Sequence, residues 1–483
     1  MTSQPRQSKS AIRRFVTSDL LAKAAFAISA LLMAFGYGVA TMKYEIFPHS
    51  LLTRAQNALD ALRTVERDKV PPHFIRYLEP GDTAQIVKPA VSPNSDLILM
   101  TGGFYYRTDL CPKLGCMAWI MDRQGKVLHR WSYDPEKLFS AADFKDFVGF
   151  TAARNMYVQG TDLDPAGNLV VTFQGSNVFP YHVGIAKFAP DGRLLWKRID
   201  HSHHWPTTGP DGRIYAPAAH IVPQGGNIDG LPRTPHCKGG AVYQEGVRVL
   251  SPEGKVLHEF WMSDVVAASD RKALTYTVRD DCDPFHVNGV DLVNGAMAQQ
   301  LQAMGADDAR PGDLAVSLRS SSSIVIMDQD TGRIKRVLYG AMVEQHSPAT
   351  MPDGSLLVFD NVGASDASGA RSRILKIKIF PLQFDQMFPK QGGDNPHLYA
   401  EAEGQVNVSP DGSRVLVAET LGGRLFEVDL GSGKVLWSYR EVDDISAYLA
   451  SAGEKASNKP ALLQTQGAAY VTRANFDRMF GAK

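Results

Sequence analysis

Two hydrophobic patterns alternate along most of the chain. The first is a hairpin in which alternating apolar residues flank an acidic-Gly turn and lead to an apolar or aromatic exit. It reads AWIMDRQGKVLHRW at 118–131, GIAKFAPDGRLLWKR at 184–198, GVRVLSPEGKVLHEFW at 246–261, SIVIMDQDTGRIKRVLYG at 323–340 and RLFEVDLGSGKVLWSY at 424–439. RILKIKIFPLQF at 373–384 is a degenerate sixth copy. A period of two is what half-buried strands require, and the Gly supplies the positive φ of the turn. The second pattern is a Pro/Asp/Gly turn followed by an apolar strand: SPNSDLILMTGG (92–103), LDPAGNLVVTF (163–173), GPDGRIYAP (209–217), MPDGSLLVFDN (351–361) and SPDGSRVLVAET (409–420). Residues 286–318 fill the remaining slot, with an insertion between Val290 and Leu314. Two alternating signatures in six copies predict an all-β fold, a six-bladed β-propeller of four-stranded blades. A pair of β-sandwiches or a β-helix is the competing architecture, and the irregular repeat length disfavours the helix.

The N-terminus departs from this pattern. Arg6, Lys9, Arg13, Arg14 and Lys23 face a single acid, Asp19, and then AAFAISALLMAFGYGVATM (24–42) runs without a charge. At 1.5 Å per residue that stretch is roughly 28 Å long, close to the thickness of the hydrocarbon layer. The basic flank should stay in the cytoplasm, which makes the chain a single-pass inner-membrane protein with its body in the periplasm or outside the cell. A cleaved signal peptide is the alternative, although its apolar core is usually shorter. Leu52, Ala55, Leu59 and Leu62 then mark a short amphipathic helix over 51–69. The expected organisation is a cytoplasmic segment 1–23, a transmembrane helix 24–42, a helical linker 43–84 and the propeller 85–483.

Charge and cysteine content narrow the function. Lys plus Arg number 51, as do Asp plus Glu, and no basic stripe stands out, so a nucleic-acid partner is not expected. Four Cys are too few for a disulfide scaffold. An extracytoplasmic body permits disulfides. Cys111 and Cys116 share a loop with Pro112 and Gly115, and Cys237 and Cys282 lie in polar, turn-rich segments. Pairing Cys111–Cys116 and Cys237–Cys282 is expected; two other pairings and buried free thiols are the alternatives.

The chemistry lies in histidines at equivalent repeat positions. His204 and His346 both fit H-x5-P-D-G, and His286 also precedes an apolar strand. The corresponding places elsewhere read Gln159 and Gly404, so the repeat itself does not demand His. In a propeller such positions converge on the axis. Arg319, after Leu314–Leu318, would add a planar fork of donors that matches a tetrahedral oxyanion. That cation argues against a metal, and there is no HExxH, CxxC pair or carboxylate-rich loop. Asn288, His203 and Asn361 are candidate substrate contacts. His203 competes with His204 for the inward position, while Asp360 and Asn361 could instead cap a turn. Asp283 reads as a turn residue or a partner for His286. Ser320–Ser323 reads as a polar loop, and His129, His258 and His397 as surface or turn residues.

DPFHVNGVD, SLRSSSSIVIMDQDTGRI, EQHSPATMPDGSLLVFDN and Ser372–Arg373 together resemble the bacterial arylsulfate sulfotransferase family in order and spacing. The resemblance covers about 200–375 well and the remainder loosely; Gly289 stands where Ser is common, and 293–313 is an unusual insertion. It implies a propeller that moves a sulfuryl group from an aryl sulfate to a phenol with no nucleotide and no cofactor. His346 would be the nucleophile, with His204, His286 and Arg319 holding the sulfuryl oxygens. An oligomer is compatible with this reading. The rival readings are a metal-dependent hydrolase or lyase using the same histidines, and a non-catalytic binding propeller.

Overall fold

The structure is a computed structural model that describes residues 9–44, 46–49, 51–52, 75–77, 86–88, 96–103, 106–112, 114–176, 178–223, 231–232, 237, 241–366, 369–394, 398–446 and 460–481. Two compact units divide the chain at residue 62. The first contains the helix Lys9–Tyr44. Within it, Leu21–Thr41 is long and apolar enough to cross a membrane and fits both a span and a signal sequence. The helix begins well before the apolar stretch. Most of the amphipathic helix expected over 51–69 lies outside the described residues, as does His397.

The second unit is a six-bladed β-propeller. Blades II to V are four-stranded antiparallel sheets whose strands follow chain order outward from the axis, and blades I and VI vary that plan. Blade II runs through Met156–Leu163, Leu169–Gly175, His182–Phe188 and Leu194–Arg198; blade III through Thr207–Thr208, Ile214–Pro223, Ala241–Leu250 and Val256–Trp261. Blade IV comprises Val287–Leu292, Leu314–Leu318, Ser323–Met327 and Ile334–Tyr339, and blade V comprises His346–Thr350, Leu356–Asp366, Gly369–Lys378 and Gln383–Phe388. Blade VI is Gln405–Val408, Arg414–Glu419, Arg424–Asp429 and Val435–Tyr439, with Ile86–Lys88 added at its outer edge. Blade I takes Leu97–Thr101, Cys116–Met121 and Val127–Ser132 from one end of the chain, and its innermost strand, Ala468–Val471, from the other. That closure leaves no free inner edge on the ring.

Both repeat patterns become the turns and strands they predict. In blades II to VI the Pro/Asp/Gly turns, or the insertion in blade IV, join the first and second strands, and the acidic-Gly turns join the third and fourth; the turn of the copy at 92–103 lies outside the described residues. Gly354 has φ +81, the left-handed value its turn needs, and the Asp353 carboxylate accepts from the Ser355 N–H at 3.0 Å. The insertion in blade IV folds into the helix Gly295–Ala303, capped by Asn294 accepting from Met297 N. The segment expected as a helical linker includes a strand instead: Ile75–Tyr77 pairs with Ala461–Leu463, which also pairs with Val442–Asp443. Apolar clusters fill the spaces between blades, with Trp119, Trp131 and Trp437 wholly buried. At alternate seams a side chain on one inner strand accepts a backbone N–H from the next. Asp162 binds Thr208 N and Asp291 binds Thr350 N, both at 2.6 Å; Asn407 binds Tyr470 N at 2.9 Å.

Candidate functional site

His204, His286 and His346 lie at the starts of the inner strands of blades III, IV and V, and their rings meet at the axis. Ring centroids are 5.2 Å apart for His204–His286, 6.1 Å for His204–His346 and 6.4 Å for His286–His346. Their ring nitrogens lie within 4.8 Å of one another. The backbone is strained where it delivers them: His204 has φ +52 and His286 φ +45, while in blade V the left-handed residue is Ser347, at φ +52. Register shifts follow in blades IV and V, at Val287/Gly289 and at His346/Ala349. Gly289 is required at this point because a Cβ there would sit 2.7 Å from Cδ of Pro348 on the next blade.

His346 is the most completely determined of the three. Its Nδ1 faces two acceptors, Oδ1 of Asn361 at 2.7 Å and the Glu344 carbonyl at 3.1 Å. The Asn361 amide cannot turn over, because its NH2 donates to the carbonyls of Ala400 and Glu403 at 2.8 and 2.7 Å. Nδ1 therefore carries the proton, and the Nε2 lone pair is left for chemistry. Burial first, then the Arg319 guanidinium and His286, press the His346 imidazole down to about 3. Burial and the neighbouring imidazoles also hold His204 well below its ordinary range. Both rings are neutral near pH 7.

His286 Nδ1 contacts Oδ2 of Asp283, so a carboxylate fixes that ring. Arg319 follows the second strand of blade IV. Its Nη2 donates to Oε2 of Glu344 at 2.7 Å, Arg279 holds the other Glu344 oxygen at 2.6 Å, and the buried Nε of Arg319 has no acceptor among the described residues. Three imidazoles and a guanidinium with a spare donor suit an oxyanion.

The other expected contacts take bracing positions. His203 lies behind His204, with the two Nδ1 atoms in contact, and stacks on His182 at 3.7 Å; His204 is the ring that reaches His286 and His346. Asn288 donates to the Gln345 carbonyl at 2.7 Å, and Gln345 spans to Ser317, Leu318 and Ser323. Asn361 is wholly buried and uses its amide on His346 and two carbonyls rather than facing open space. Asp360 ties Val343 N and Arg373. Ser320 and Ser322 also serve the site, donating to the Asp283 carbonyl and accepting from Glu344 N respectively. His129 is half-buried against Trp131 and Phe480, and His258 stacks on Phe260.

Sequence reading missed an aromatic chain that leads inward from partly exposed Phe179. Phe179 touches Tyr243, Tyr243 touches Tyr181, Tyr181 touches His182 and His182 stacks on His203. These residues sit in and beside strand runs and so read as ordinary core. Cys111–Cys116 and Cys237–Cys282 are both disulfides, the pairing expected, and the second adjoins Asp283.

Residues 167–441, more than half of the chain, match the family model described as Arylsulfotransferase (ASST), and the chain belongs to that family. Sulfotransferase chemistry in general follows from that membership. No curated protein matches the chain. Among solved structures it is similar to a protein of unknown function from Bacteroides caccae (13% identity, TM-score 0.41, covering 71% of this chain and 93% of that one). It is also similar to virginiamycin B lyase from Staphylococcus aureus (10%, 0.33, 57% and 67%) and to the Cps50 (Swd1) β-propeller domain of Myceliophteria thermophila (10%, 0.37, 76% and 91%).

Proposed function

We propose that the protein transfers a sulfuryl group from an aryl sulfate to a phenolic acceptor, without a nucleotide donor, through a sulfo-histidine on His346. The observation that carries this reading is the fixed tautomer of His346, whose ring lies beside those of His204 and His286 and feels the charge of the Arg319 guanidinium. In the first half-reaction Nε2 attacks sulfur, the S–N bond forms and the S–O(aryl) bond breaks. The departing phenolate takes a proton from His286, which Asp283 holds in place through Nδ1. In the second half, His286 receives the proton of an acceptor phenol, the phenolate oxygen attacks sulfur and the S–N bond breaks. Atoms and protons balance over the cycle.

Sulfuryl transfer spreads negative charge over the equatorial oxygens, as phosphoryl transfer does, so positioned donors carry most of the catalysis. His204 and Arg319 supply them. Phe179, Tyr181 and Tyr243 offer rings against which an aryl group can pack. The helix spanning Leu21–Thr41 would anchor the protein in the inner membrane, with the disulfide-bearing propeller on the oxidising side.

The test is incubation with an aryl sulfate followed by mass analysis. A mass gain of about 80 Da on the His346 peptide is expected for this covalent intermediate. Transfer without any adduct would remove the covalent step. A stoichiometric transition metal with chelator-sensitive activity would favour metal-dependent hydrolysis or elimination instead.

A further inference from the structure

Glu245 is a buried acid with no part in the steps above. It lies on the strand Ala241–Leu250 of blade III and has no exposure to solvent. Its Oε1 is 3.8 Å from Nε2 of His203 and 3.9 Å from Nδ1 of His286. Asp283, Glu245 and His286 bring their ligating atoms within 4.8 Å of one another. The Val287 backbone N–H and the Asp283 side chain face Glu245, but neither of its oxygens has a partner of strict hydrogen-bond geometry among the described residues, and the Arg319 guanidinium is engaged with Glu344.

Two carboxylates this close do not both stay ionised unless a cation sits against each, and the Arg319 guanidinium, which favours the ionised form of Glu245, is paired with Glu344 instead. Asp283 touches His286 Nδ1 and is partly exposed, whereas Glu245 is wholly buried with no cation in contact. Burial first, and then the charge of Asp283, push the Glu245 carboxyl well above its ordinary range.

We propose that Glu245 stands protonated behind the site as a positioning residue, turning its acidic hydrogen toward Asp283 and so fixing the carboxylate that orients His286. The inference rests on the proposed role of His286 at the aryl oxygen. An ionised Glu245 would place a second negative charge beside an anionic substrate. An uncharged acid orients Asp283 without that penalty. The Glu245 proton is not transferred during turnover.

Infrared difference spectra of the full chain at pH 7, wild type against Glu245→Gln, test the protonation directly. A carbonyl stretch of a protonated carboxyl that shifts in D2O and disappears in Glu245→Gln is expected; its absence from the wild type overturns the proposal. In steady-state assays, Glu245→Ala should lower kcat roughly 10- to 100-fold with KM nearly unchanged, because Asp283 loses its register. Glu245→Gln, uncharged and able to donate the same hydrogen bond, should recover most of that loss; a Gln variant as impaired as Ala overturns the proposal, as does a divalent metal bound in stoichiometric amount and lost with Glu245→Gln. The infrared band is read without substrate. A wild-type chain that shows the band but forms no adduct with an aryl sulfate therefore sinks the sulfuryl-transfer reading alone.

Discussion

Blades III, IV and V present His204, His286 and His346 at the starts of their inner strands, whereas blades II and VI hold Gln159 and Gly404 at the corresponding places. The second group is not idle. Gln159 accepts the backbone N–H of His204 at 2.7 Å, and Glu403, beside Gly404, accepts from the Asn361 amide that fixes His346. On the closing side, the Gln466 carbonyl accepts from the Trp205 indole at 2.9 Å. One half of the ring thus supplies the imidazoles, and the other adds amides and carbonyls to the braces, such as Asn361 and Asp283, that the first half already carries. The repeat fixes where the backbone goes; each blade's side chain decides whether that place reacts or braces.

Substitutions on the two sides should separate these duties. His346→Ala should lower transfer from a chromogenic aryl sulfate by roughly 10³-fold or more, with an unchanged circular dichroism spectrum and no mass adduct. Full activity in that variant removes His346 from its role. Arg319→Lys should cost about 10- to 100-fold in kcat, since a point charge cannot reproduce a planar fork; equal rates for Lys and Arg would show that charge alone suffices. Asn361→Ala should cost about tenfold in kcat by freeing the His346 tautomer, and about 1–3 kcal/mol of stability by orphaning buried carbonyls. A stability loss without a kcat loss would make Asn361 a brace only. On the other side, Gln159→Ala should lower stability by about 1–2 kcal/mol in urea melts and change kcat only a few-fold, because it leaves His204 N unsatisfied. A larger effect on kcat than on stability would erase the distinction between the halves.

Acid should produce the smallest signal. His182, His203, His204 and His346 all sit below their ordinary 6.5 because they are buried. The unfolded chain takes up protons that the folded chain refuses. Their contribution to stability is therefore complete above 6.5 and drains away as pH falls toward about 3, where His346 itself protonates. Thermal melts between pH 7 and 4.5 should show Tm falling below 6.5, less steeply in His182→Asn. A flat profile would mean these rings are hydrated or paired. Transfer should show no acid limb from His346 over that range.

The sequence made the ring and the axial cluster of histidines readable because both depend on local patterns. Turn glycines and alternating apolar residues mark the blades, and His204 and His346 stand at the same distance before a P-D-G turn. Braces were harder to read. Asn361 resembles a turn cap in sequence, and only the fold brings it 2.7 Å from a ring fifteen residues earlier. Glu245 sits in the mixed run YQEGVRVL beside Gln244 and Arg248, and being its lone acid was its one visible sign. The inner strand of blade I carries no turn signature, since its neighbours in the sheet come from the opposite end of the chain.

That borrowed strand sets the order in which the molecule becomes competent. Ala468–Val471 is made about 120 residues after His346, so a ribosome has long finished the last of the three axial histidines before the circle can shut. Until then the imidazoles belong to an open arc with no common centre. A chain lacking that strand would carry all three rings without the closed ring that brings them together.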